Sequence, residues 1–218
     1  MKKILLIVWS LAIYSVNAQE TRVPFWKEIQ EFKRIDKETA PSQNGILLLG
    51  SESFAFWKNI STQFPHKQII NRAIPGFRFT DLNYFADDLL YPYEPKQILI
   101  YCGENDFIEN SVIKPEAVVE RYKTFYKTIR KRYPNVEINY FSITRAPGRS
   151  EFWPKFEEAN RLIKEFMDVQ KNAHFIDVNP AMSDFNGNPR KNLFLINMLQ
   201  IKPNTYKIWA DILKPYIK

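Results

Sequence analysis

Five short apolar runs constrain this chain more than any other feature. They are ILLLG (46–50), QIINRA (68–73), QILIYC (97–102), VEINYFS (136–142) and HFIDV (174–178). Most lack the apolar–polar alternation of a half-exposed strand, which predicts strands buried on both faces. Helix-periodic segments lie between and around them. In VPFWKEIQEFKRIDKETAP, Phe25, Ile29, Phe32 and Ile35 share a face; in PEAVVERYKTFYKTIRKRY, Val118, Tyr122, Phe125, Ile129 and Tyr133 do the same. Pro115 suits the first turn of the latter, and Thr80 suits the cap of TDLNYFADDLL. KFEEANRLIKEFMDVQ and PNTYKIWADILKPYI supply two more helices. Strands alternating with helices predict an α/β domain on a five-stranded parallel sheet. In such a sheet the working site lies beyond the carboxyl ends of the strands.

Residues 1–18 are expected to be removed. Lys2 and Lys3 precede an apolar run from Ile4 to Val16, and Val16-Asn17-Ala18 offers small residues for cleavage. That is the pattern of a secretory signal peptide, too short for a stable membrane span. The expected destination is periplasmic or extracellular, with a single domain over 19–218. Loss of the two lysines brings the formal charge of +7 to +5. The densest basic cluster, KTIRKR at 127–132, ends a helix pattern, where cations suit the helix dipole. Nothing in the chain matches a nucleic-acid-binding module. Cys102, the sole cysteine, closes an apolar run and reads as a small buried hydrophobe.

Chemistry gathers at the strand ends. GSESFAFW follows the first strand, NRAIPG carries Gly76 past the second, and CGEND puts Glu104 and Asn105 past the third. NMLQIKPNTYKIW precedes the final helix. A glycine N–H and an asparagine amide converging on one point are the parts of an oxyanion hole.

In these four blocks, across essentially the whole of 19–218, the chain resembles the SGNH or GDSL hydrolases, especially exported esterase and acetylhydrolase-like members. The resemblance implies a flavodoxin-like three-layer α/β/α fold and descent from serine acyl-hydrolases. It places Gly76 and Asn105 on the oxyanion positions. It also puts Glu52 where the family has its nucleophilic serine, Asn197 on the aspartate and Gln200 on the histidine. All three triad positions read as replaced.

Ser51 and Ser53 flank Glu52, but a serine hydroxyl needs a base. His66 precedes the second strand and His174 opens the fifth, so both are expected at the opposite edge of the sheet. Glu52 is therefore expected to occupy the former hole as an acceptor from Gly76 N–H and the Asn105 amide. Asn197 and Gln200 are expected to add amide donors. The chain then reads as an inactive binding protein for a glycan, an acyl group or another small molecule. The alternative is a working carboxylester or carbohydrate-ester hydrolase with a non-standard base. Glu104 either pairs with Glu52 for acid–base work or points along its loop. Arg145 and Arg149 are either ligand contacts or exposed loop arginines. The aromatics Phe54, Phe56, Trp57, Phe77, Phe107 and Trp153 form either a ligand wall or core. No cofactor is called for, and no His or Cys spacing suggests a metal site.

Overall fold

The computed structural model describes residues 23–218, so the expected leader lies outside the described residues. In chain order the elements are α1 (Trp26–Glu38), β1 (Ile46–Gly50), α2 (Glu52–Ala55), α3 (Ile60–Gln63) and β2 (Ile69–Asn71). Then come α4 (Phe79–Tyr84), α5 (Ala86–Leu90), β3 (Gln97–Tyr101), α6 (Glu104–Glu109), α7 (Pro115–Arg132) and β4 (Glu137–Phe141). The chain closes with α8 (Trp153–Asp168), β5 (Ala173–Ile176), α9 (Asn179–Met182) and α10 (Tyr206–Leu213).

All four strand pairings are parallel, in the order β2-β1-β3-β4-β5. The apolar runs are continuous because successive side chains enter different cores. Leu47, Leu49, Ile98, Ile100, Ile138 and Tyr140 pack under α1, α4, α5, α7 and α8. Ile46, Leu48, Leu99, Tyr101, Phe141 and Ile176 face α2, α3, α9 and α10. This is the expected three-layer α/β/α arrangement. No helix among the described residues is long and apolar enough to cross a membrane.

Local signals place most boundaries. Pro115 is the first residue of α7, whose last turn carries Arg130, Lys131 and Arg132. There Arg130 donates to the carbonyls of Val136, Lys171 and Asn172, so this part of the basic cluster ties the helix end to the loops before β4 and β5. Thr80 is not the cap of α4. The cap lies two residues earlier, at Arg78, because the Asp81 carboxylate takes the Arg78 N–H at 3.0 Å and its guanidinium at 2.8 Å. Cys102 is buried, as expected. Helix α1 is anchored by Asp36, which accepts from Arg72 just beyond β2 and from the Tyr93 hydroxyl.

Candidate functional site

The turn from β1 into α2 builds the first part of the site. Gly50 has φ +124, and a Cβ there would lie 1.8 Å from the Tyr101 carbonyl oxygen. Only glycine lets β1 stay this close to β3 while the chain turns. Ser51 extends the ladder, donating its N–H to Tyr101 O at 2.8 Å, and its side chain is fully buried. Glu52 then opens α2 with its carboxyl turned back towards the strand ends.

Both carboxyl oxygens of Glu52 are engaged there. Oε1 accepts the Gly76 N–H at 2.8 Å, and Oε2 accepts from Asn105 Nδ2 at 3.0 Å and from the Ser51 hydroxyl. Asn105 Nδ2 also lies 2.8 Å from Ser51 Oγ and 3.2 Å from Phe77 O. Neighbouring groups fix the two donors. Phe25, at the head of α1, packs edge-on against Phe77 with ring centres 4.8 Å apart, steadying the Gly76 loop. Asp106 accepts Phe79 N–H at 2.9 Å and Arg121 Nη1 at 2.7 Å, holding the start of α6.

Beside this cluster lies a cleft of about 80 Å³, lined by Glu52, Ser53, Glu104, Asn105, Arg149 and Gln200 among its polar groups. Phe56, Leu199, Ile201 and Tyr206 form its apolar wall. Glu104 therefore faces the cleft and does not merely follow its loop. Burial first, and then the nearby Glu52 charge, push its carboxyl up to about 7, while Arg149 opposes the rise. Arg149 Nε lies 3.4 Å from Glu104 Oε1, and the Tyr101 hydroxyl is 3.5 Å from Oε2.

Arg149 reaches the cleft because its segment, Pro147–Phe152, docks on the loop before α10. Gly148 N–H donates to Met198 O at 2.9 Å, and a Cβ at Gly148 would lie 2.8 Å from Leu199 Cδ2 and 3.2 Å from Met198 O.

The two positions that the resemblance puts on the family's aspartate and histidine depart from expectation. Neither Asn197 nor Gln200 donates to Glu52. Phe194 and Ile201 pair as an antiparallel bridge, which makes 195–200 a tight hairpin with Asn197 exposed in it. Asn197 Oδ1 accepts the N–H groups of Leu199 and Gln200, so its side chain serves its own turn. Gln200 does line the cleft.

Other expected contacts resolve as core or scaffold. Trp57 is fully buried, stacked on Tyr206 at 5.2 Å and donating Nε1–H to Gln63, so it is no ligand contact. Phe54, Phe77 and Phe107 are core, and Trp153 bonds Ala146 O beside the larger core. Phe56 alone of those six aromatics lines the cleft, 37% exposed. Ser51 is sealed below Glu52. Arg145 is held by Glu157, Ser183 and Gly187 O beside a separate surface groove. His174 pairs with Glu137, the first residue of β4, at 2.7 Å, and His66 precedes β2. Both histidines lie at the amino edge of the sheet. Tyr101 and Tyr206 were missed by sequence reasoning; Tyr101 ends the apolar run of β3 and Tyr206 opens α10, so both read as core, which they also serve.

Residues 45–196 match the model of the GDSL-like lipase/acylhydrolase family. Among solved structures, a GDSL-like lipase from Bacteroides thetaiotaomicron superposes with a TM-score of 0.74 at 14% identity, covering 86% of this chain and 96% of the other. A family 3 carbohydrate esterase from Clostridium thermocellum gives 0.63 at 14% identity, over 80% and 94%. A psychrotrophic esterase from Pseudoalteromonas gives 0.59 at 19% identity, over 79% and 96%. No curated protein matches the chain in sequence.

Proposed function

This chain belongs to the GDSL-like lipase/acylhydrolase family, and we propose that it has given up serine acyl transfer and binds a ligand without hydrolysing it. One observation carries the reading: the Glu52 carboxyl already sits on the Gly76 and Asn105 donors. An oxyanion hole works by offering unused N–H groups to charge that develops on the substrate oxygen. Here those groups face a charge that is present from the start. A substrate carbonyl brought to the same place would meet a carboxylate oxygen. Its repulsion would raise the barrier that the hole once lowered.

The serine–histidine pair that the family's chemistry needs has no counterpart at the matching positions. Gln200 cannot take a proton from a serine at neutral pH. Both described histidines lie at the far edge of the sheet. Ser51 is buried and already donates to Glu52. The ligand, a glycan or other small molecule, occupies the cleft over Glu104, Arg149 and Gln200. Export by the leader over 1–18 completes the proposal, and amino-terminal sequencing of the secreted chain, expected to begin at Gln19, checks it.

A second reading, a carboxylester or carbohydrate-ester hydrolase with a non-standard base, draws on one feature. Ser53 shares the cleft with Glu104, whose carboxyl titrates near 7. A serine-directed fluorophosphonate separates the two readings. The binding role predicts no covalent adduct, whereas labelling of Ser53 would establish the hydrolase.

A further inference from the structure

The geometry points to an inverted hydrogen-bonding preference in the cleft, which selects a neutral polyhydroxylated ligand, one edge of an unacylated sugar ring, read by Glu104 together with Arg149. This rests on the non-catalytic reading above and names the class of ligand.

An ionised carboxylate offers about four acceptor positions. Gly76, Asn105 and Ser51 fill three of those on Glu52, and what remains of it can only accept. A site that once presented donors to an ester carbonyl now presents an acceptor. Hydroxyl groups satisfy an acceptor; an ester oxygen does not, and it leaves the part-buried carboxylate facing a second lone pair.

The opposite wall completes the recognition. Above about pH 7 Glu104 is ionised and accepts, and Arg149 touches it only through Nε, at 3.4 Å. Among the described residues, the terminal guanidinium nitrogens of Arg149 make no hydrogen bond and remain available to donate. A carboxylate beside a guanidinium matches two adjacent hydroxyls, each of which can donate to one group and accept from the other. The Gln200 side-chain amide, likewise without a hydrogen bond among the described residues, adds an NH₂ group with two donors and a carbonyl acceptor.

Charge excludes the other small ligands. A carboxylate or phosphate ligand would find Arg149 but would also face Glu52 and Glu104. A cationic ligand would meet Arg149 at the Glu104 it needs. A neutral polyol avoids both penalties, and the half-exposed Phe56 ring at the wall suits the apolar C–H face of a sugar.

The test uses the chain without its leader and two sets of probes. These are the methyl glycosides of glucose, galactose, mannose and xylose, and the same glycosides peracetylated. Ligand-observed NMR titration is expected to show binding of at least one free glycoside, with its peracetylated form at least tenfold weaker. Glu104→Gln and Arg149→Met are each expected to weaken the free glycoside at least tenfold while folding is retained by circular dichroism. Failure of every free glycoside to bind, equal binding of the acetylated form, or unchanged binding by both variants overturns the inference. Acetate release in the same samples is scored separately. Its appearance overturns the non-catalytic reading, whatever the free glycosides do.

Discussion

The Gly76 N–H donates to Glu52 Oε1 at 2.8 Å, joining the loop after β2 to the first residue of α2. The Asn105 amide reaches the same carboxyl from α6, so one side chain ties together the ends of three neighbouring strands. Glu52 is thus a structural clamp as well as the acceptor that occupies the Gly76 and Asn105 donors.

Replacing the clamp should be costly. Glu52→Ser removes the acceptor for the Gly76 N–H and for part of the Asn105 amide, in a part-buried place. The expected loss is about 1–3 kcal/mol of stability, measured by chemical unfolding. A variant as stable as the native chain would mean that water replaces the carboxyl without penalty.

No esterase activity should accompany that change, because a serine at 52 still lacks a base. Native chain and Glu52→Ser are both expected to hydrolyse p-nitrophenyl acetate at the rate of an inert control protein. The triple variant Glu52→Ser, Asn197→Asp, Gln200→His is expected to exceed both. Asp at 197 can keep accepting the Leu199 and Gln200 backbone N–H groups while a histidine at 200 enters the cleft. A triple variant as silent as the single would show that the hairpin no longer places these positions as a triad.

Glu104 should leave a mark on the pH dependence of stability. Its folded carboxyl is raised from 4.5 to about 7, so between those values the unfolded chain has released a proton that the folded chain keeps. The folded state then binds more protons, and stability contributed by this group falls as pH rises across that window. The effect is flat below pH 4.5 and above about 7. Glu104→Gln should remove this slope and gain on the order of 1–3 kcal/mol relative to the native chain at pH 8. Parallel unfolding curves at pH 5 and pH 8 measure it; an unchanged difference would mean that Glu104 titrates as in water.

Gly148 is expected to control Arg149 from one residue away. A Cβ there would lie 2.8 Å from Leu199 Cδ2 and 3.2 Å from Met198 O. Gly148→Ala should push the Pro147–Phe152 segment off the hairpin, costing about 1–3 kcal/mol. With Arg149 displaced, Glu104 loses the charge that opposes its rise, and its titration should move above 7. Carboxyl-carbon NMR of Glu104 reads that shift; no movement would uncouple the loop from the cleft.

The sequence determined the sheet because burial on both faces writes itself into every strand. Leu47 and Leu48 enter different cores, so the run ILLLG cannot alternate, and the pattern is visible without coordinates. It also determined that Glu52, Gly76 and Asn105 meet, since each stands just past the end of one of three adjoining strands. Side-chain direction was another matter. Whether Glu104 faces the cleft depends on how α6 leaves β3, and whether Asn197 reaches Glu52 depends on a hairpin closed by Phe194 and Ile201. Trp57 and Phe56 are neighbours in sequence, yet one is sealed against Tyr206 and the other lines the cleft. Such outcomes are set by packing between segments far apart in the chain. Local pattern carries the period of burial, and only the tertiary structure decides which side chains share a space.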